Sequence, residues 1–233
     1  MSIIKCDKIN FSYEKERTIL EDISFEIEEN ESVGIIGANG SGKTTLFKLI
    51  LGLEKPKSGE ITVDNLKVKK ENFREIRKKI GFLFQDSDNQ LFMNSVEDEI
   101  SFALNNYGLE EKIINERVDN VLKKLDIEHL KNRMIIKLSG GEKKLVSIAS
   151  VLAMDPEILL LDEPSNTLDP RYRRIVIDIL NSINCTKIIA AHDLSLISKT
   201  CSKVLLIHDG KIVKAGKTND ILSNEEELIK YGL

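Results

Sequence analysis

The chain has 233 residues, 41% of them hydrophobic and 31% charged, with a net charge of −4. That length and apolar content support one large domain, or a domain carrying a substantial insert, and exclude a disordered chain. The mild negative balance gives no sign of a polyanion-binding protein, and Cys6, Cys185 and Cys201 show no metal-type or disulfide-type spacing, as suits a reducing cytosol.

The first residues, Met1 to Asp7, carry charges where a signal peptide needs an apolar stretch. Ile3 to Tyr13 and Ile19 to Ile27 alternate apolar and polar residues and predict antiparallel strands, a sheet that Ile61 to Val68 extends. Ser32 to Gly37 is a short apolar run and predicts a buried parallel strand. Thr44 to Leu51 predicts a helix with Leu46, Ile50 and Leu51 on one face, and Ile80 to Phe84 another buried strand. From Asp86 to about Ile136 the period becomes helical: Ser95-Val96-Glu97-Asp98 has the form of a capping box opening a helix through Leu104, and Ile114, Val118, Val121, Leu122 and Leu125 share one helical face. Leu145 to Met154 predicts a further helix. Strands at Ile158–Leu161, Lys187–Ala191 and Val204–His208 then alternate with helices, and Asp209-Gly210 is a hairpin signal. No apolar run approaches the ~20 residues a membrane span needs, so a channel, if one exists, belongs to another chain.

Chemistry concentrates in three strings. Gly37-Ala38-Asn39-Gly40-Ser41-Gly42-Lys43-Thr44 fits the phosphate-binding loop pattern, in which glycines let successive backbone N–H groups curl around phosphates and the following helix adds its positive end. Asn39, Gly40, Ser41, Gly42, Lys43, Thr44 and Thr45 are the expected nucleotide contacts, with Lys43 charging the β/γ oxygens and the Thr44 hydroxyl a ligand for Mg²⁺. Ile158-Leu159-Leu160-Leu161-Asp162-Glu163-Pro164 ends a buried strand in two carboxylates: Asp162 to hold Mg²⁺, Glu163 to orient or deprotonate water. Between them lies Leu138-Ser139-Gly140-Gly141-Glu142, just before the apolar helix, whose positive end would favour a phosphate.

In that order, these strings resemble the ATPase subunit of an ABC transporter. The resemblance covers the chain from Tyr13 to the C-terminal helix. It implies an α/β fold: a P-loop NTPase core (1–85 and 156–233) with an antiparallel β side sheet and an inserted α-helical subdomain (86–155) bearing the signature. It implies that Tyr13 stacks on adenine, that Gln85 senses Mg²⁺ and the membrane subunit, and that Ser139, Gly140 and Gly141 contact the γ-phosphate of a partner's ATP. Asn166-Thr167-Leu168-Asp169 resembles the loop that crosses the dimer seam, and His192 the histidine that holds the γ-phosphate. His129 and His208 have no such context and are read as structural.

A finer resemblance lies in Phe84 to Phe92 and Ser95 to Phe102, which look like the ATPases of energy-coupling-factor importers of cobalt, nickel or vitamins. There a second glutamine, here Gln90, sits on a short helix facing the membrane component, and Lys143-Lys144 fits the same group. Ser87 stands where that group usually has proline, and its C-terminal extension is shortened or absent here. The resemblance implies ATP hydrolysis with ATP and Mg²⁺, coupled to import of a small solute through an integral membrane subunit at the cytoplasmic face of the membrane. A second ATPase subunit, identical or related, is implied, and no nucleic acid. The alternative is a soluble ABC ATPase acting as a mechanical clamp.

Overall fold

The computed structural model describes residues 2–13 and 18–233. The chain divides into two compact units. The first comprises residues 1–80, 157–163 and 184–233, and the second 81–156 and 164–183.

The first unit is built on two sheets. Five of its strands lie in the order Lys211–Lys217, Lys203–His208, Ser32–Ile36, Thr186–Ala190, Ile158–Asp162. All pair in parallel except the first two, which form an antiparallel hairpin. Ile158–Asp162 and Thr186–Ala190 are buried along their whole length, which is why they read as unbroken apolar runs rather than alternations. The Asp209-Gly210 turn has both residues at positive φ (45° and 74°), the type I′ geometry that matches strand twist.

The other sheet is antiparallel, ordered Leu20–Glu28, Ser2–Phe11, Ser58–Val63, Leu66–Lys67. Ile61 to Val68 extends this sheet as expected, and does so as a tight hairpin, because Asp64 and Asn65 both adopt positive φ (45° and 61°) and fold Leu66 back onto Val63. Asp and Asn tolerate that conformation through local hydrogen bonding. Helices Lys43–Ile50, Phe73–Lys79, Leu194–Thr200, Thr218–Leu222 and Glu225–Lys230 complete the unit. Leu46, Phe47, Leu49 and Ile50 of the first are fully buried.

In the second unit, helices Val96–Asn106, Glu111–Lys124 and Gly140–Leu152 pack on one another, with Pro170–Ser182 also present. Ile114, Val118, Val121 and Leu122 are buried as their spacing predicts; each such side chain contributes about 1.5–3 kcal/mol relative to exposure. Ser95 caps its helix by accepting from the Asp98 amide, yet the Asp98 carboxylate takes the Ser95 hydroxyl at 2.6 Å rather than returning to the Ser95 backbone. The complete capping box lies at Ser139: the Glu142 amide donates to Ser139 Oγ at 3.3 Å, and the Ser139 amide donates to Glu142 Oε2 at 2.7 Å. It starts the third helix at Gly140, ahead of the Leu145 that periodicity marks. Two glycines in a first turn cost roughly 1 kcal/mol each against alanine, and the reciprocal cap offsets that. Among the described residues, no helix is long and apolar enough to cross a membrane.

Candidate nucleotide site

Strand Ser32–Ile36 runs through the glycine loop into helix Lys43–Ile50. Gly42, the residue before the helix, has φ 106°, and a Cβ there would lie 2.6 Å from Leu20 Cδ2 and 3.2 Å from the Ile19 carbonyl oxygen. Only glycine fits both restrictions. Among the described residues no side chain caps this helix, and its first turn holds no acidic residue, so its first N–H groups and positive end favour an anion. Asn39 and Gly40 are exposed, and Gly40, at φ 81°, faces open space. Among the described residues the buried Ser41 hydroxyl has no hydrogen-bond partner, an arrangement that costs about 1–3 kcal/mol unless a ligand satisfies it.

Lys43 is buried at the same turn. Its ammonium donates to the carbonyls of Gly37 (2.7 Å) and Ala38 (3.1 Å) and lies 4.0 Å from Glu163 Oε1. Burial pushes its pKa below the usual lysine value, while the charges of Glu163 and Asp162 pull it back up. The Thr44 hydroxyl donates to Asp162 Oδ2 at 2.7 Å, joining the start of the helix to the end of strand Ile158–Asp162. Thr45 is buried and its Oγ1 lies 3.4 Å from the Tyr13 hydroxyl. Tyr13 follows the first strand, packs edge-on against Phe11 at 4.9 Å and stays half exposed, with Lys48 Nζ 5.8 Å from its ring.

Glu163 adopts φ 48°, a left-handed conformation rare for a residue with a side chain, and it is 5% exposed. Such backbone costs on the order of 1–3 kcal/mol and persists where surrounding contacts enforce it. Here the Glu163 amide donates to the Ala190 carbonyl at 2.8 Å, and Glu163 Oε2 accepts from the His192 backbone amide at 3.4 Å and lies 2.9 Å from His192 Nδ1. Oε1 faces Lys43. The strand end thus holds one carboxylate between a buried cation and a half-exposed imidazole. Tyr13, the loop residues, Asp162, Glu163 and His192 all belong to the first unit.

Gln85, Ser139, Gly140 and Gly141 belong to the second. The Gln85 side chain is exposed, while its carbonyl accepts from the buried Lys144 ammonium at 2.8 Å, as does that of Phe84 at 3.3 Å. The Gln90 side-chain amide donates to the Ser147 carbonyl (2.9 Å) and Ser150 Oγ (3.3 Å), and accepts from the Phe84 amide (3.1 Å). Lys143 adds an ion pair to Asp88 at 2.6 Å. Gln90 therefore ties the Phe84–Gln90 segment to helix Gly140–Leu152. Gly140 has open space where a Cβ would stand, but Gly141 does not: a Cβ there would lie 2.3–2.5 Å from three ring carbons of Tyr172. Sequence reasoning missed two residues here. The S-x-x-E spacing could have revealed Glu142 as a cap, whereas Tyr172 meets Gly141 only through tertiary packing.

The family model described as ABC transporter matches residues 20–166. Over 98% of its length the chain is 40% identical to the energy-coupling factor transporter ATP-binding protein EcfA1 of Mycoplasmopsis synoviae, covering 87% of that protein. Among solved structures it matches cbiO1 of Clostridium perfringens, described as part of the ABC transporter complex cbiONQ, with TM-score 0.87 and 37% identity over 98% of this chain and 94% of that one. It also matches the dimeric structure of a bacterial ABC transporter cassette, with TM-score 0.84 and 27% identity over 92% of this chain and 98% of that one. The chain belongs to the ABC transporter ATP-binding family. It is an ATP-binding, ATP-hydrolysing cassette with a P-loop NTPase fold, and its relatives include energy-coupling ATPases.

Proposed function

We propose that this ATPase powers import of a small solute, a metal ion or a vitamin, through a separate integral membrane protein, working at the cytoplasmic face of the membrane beside a second ATPase subunit. Its similarity to an energy-coupling factor transporter ATP-binding protein and to a part of an ABC transporter complex supports that role. The dimeric cassette supports paired subunits.

The observation that carries the chemistry is the Glu163 carboxylate, held by His192 on Oε2 and facing Lys43 with Oε1. Glu163 orients the attacking water and takes its proton on Oε1. Lys43 supplies positive charge to the β/γ oxygens, Ser41 and the loop amides contact phosphate, and His192 contacts the γ-phosphate. Tyr13 offers its half-exposed ring to adenine. Thr44 Oγ1 and Asp162 Oδ2 are hard oxygen donors of the kind magnesium takes, and they fit it. A magnesium ion held by Thr44 and Asp162 would supply positive charge against the negative charge that develops in phosphoryl transfer. Ser139, Gly140 and Gly141 serve the ATP of the partner subunit, so each site is composite.

Glu163→Gln tests the assignment. The amide keeps the shape but cannot accept the proton, so steady-state turnover should fall by ~10²–10⁴-fold with ATP affinity preserved. Near-normal turnover would remove Glu163 from the catalytic role. Recovery of the native complex tests the coupling: a multi-span membrane protein should copurify, and ATPase activity without any such partner in native membranes would favour the mechanical clamp.

A further inference from the structure

The ring of Tyr172 lies over Gly141, so close that a Cβ on the glycine would stand 2.3 Å from Cδ2, 2.4 Å from Cγ and 2.5 Å from Cε2. Gly141 is not at positive φ, so backbone freedom does not explain a glycine here; the ring does. Tyr172 is itself fixed from the other side. Asp169 caps helix Pro170–Ser182, its Oδ1 accepting from the amides of Arg171 (2.8 Å) and Tyr172 (3.0 Å). The Ser139–Glu142 box fixes the signature turn in the same way, with Glu142 anchored to Arg133 at 3.1 Å. Two capped helix starts therefore meet through one aromatic ring on one glycine.

We propose that Tyr172 is a positioning residue that locks the Ser139–Gly141 turn to the Asn166–Asp169 loop, presenting both to the partner chain as one rigid surface. The proposal rests on the composite-site reading above. It assigns the contact to the ring and not to the hydroxyl, because the atoms that approach Gly141 are ring carbons. Sub-ångström placement of groups at a reacting phosphate matters: a displacement of about 1 Å can cost ~10²-fold in rate.

Three measurements test it. Tyr172→Ala should lower kcat by tenfold or more, up to ~10²-fold, while nucleotide affinity of the same chain stays unchanged, because the phosphate loop is untouched. Tyr172→Phe, which keeps the ring, should restore turnover. Gly141→Ala should be nearly inactive alone and should regain activity when combined with Tyr172→Ala, since removing the ring removes the clash. Wild-type turnover in Tyr172→Ala, or a Gly141→Ala lesion that Tyr172→Ala does not relieve, would overturn the proposal.

Mixed dimers separate its failure from that of the composite site. A Tyr172→Ala chain paired with a Lys43→Ala chain should show activity above the sum of the two homodimers, because one site then joins an intact loop to an intact signature. A Gly140→Asp chain paired with Lys43→Ala serves as the control. If the control complements and the Tyr172 pair does not, Tyr172 acts within its own site and the proposal fails alone. If the control does not complement, the composite site fails and takes the proposal with it.

Discussion

Two helices in this molecule begin in glycine-rich strings, and they treat their positive ends differently. Helix Lys43–Ile50 starts after Gly42 with no side-chain cap among the described residues and no acid in its first turn, and a lysine stands at its first position. Helix Gly140–Leu152 starts after Ser139 with a full capping box and a carboxylate, Glu142, in its first turn. The first start therefore has a local field strong enough to hold an anion by itself. The second has its field largely offset by its own glutamate, and Gly140 and Gly141 present backbone rather than charge. It can favour a phosphate already held elsewhere without competing for free nucleotide. Such an asymmetry is what a site shared between two chains requires.

Lys43→Ala is the strongest attack on the first half of that comparison. It removes the buried cation 4.0 Å from Glu163, and loss of one preorganised charge contact at a transition state typically lowers turnover by ~10²–10³-fold. Both Mg-ATP affinity and turnover should fall, and normal values for both would show that the loop does not hold phosphate through this residue.

The second half is sharpened by the two signature glycines, which are not equivalent probes. Any side chain at Gly141 strikes Tyr172, so its loss of activity reports packing and phosphate contact together. Gly140 has nothing within 4 Å of a Cβ, so Gly140→Asp adds negative charge without a steric lesion. Its turnover should fall strongly while the melting temperature and the single-chain ATP affinity hold. Gly140→Ala should be far milder than Gly140→Asp. Equal activity of Gly140→Asp and wild type would mean that no phosphate approaches this helix start.

Much of this was legible in the residues alone, and the gaps have physical causes. The buried strands, the phosphate loop and the Asp162-Glu163 strand end are local patterns, and the described residues adopt them. The hairpin at Asp64-Asn65 leaves only a small local signal, two turn-forming residues and a shift of the apolar phase from Ile61 and Val63 to Leu66 and Val68. The contacts of the Gln90 amide were unreadable, since its partners Ser147 and Ser150 are remote in the chain. The link between Glu163 and His192 is likewise tertiary: a strand end and the residue after a neighbouring parallel strand meet only once the sheet has formed. The left-handed backbone of Glu163 has no composition signal at all.

The smallest predicted effect concerns Glu142, and it tests why the second helix start has so little field to offer. Its pKa is lowered from the ordinary glutamate value, first by the hydrogen bond from the Ser139 amide, with the Ser139 hydroxyl and the Arg133 charge adding to the shift and burial opposing it. A carboxylate whose pKa is depressed in the folded state contributes stability above its unfolded pKa of about 4.3 and loses it as pH falls through the lower folded value. Glu142→Gln keeps an acceptor for the capping box but carries no charge. It should lower stability at neutral pH by about 0.3–1 kcal/mol, the usual size of a charge at a helix start. Denaturant unfolding of both proteins across a pH series reads the difference directly, because the other carboxylates cancel in the comparison. The gap should be constant at neutral pH and close as pH drops below about 4.3. A gap that persists unchanged into acid would mean that Glu142 acts through shape rather than charge. The signature helix would then keep its positive end, and the contrast with the phosphate loop would rest on Lys43 alone.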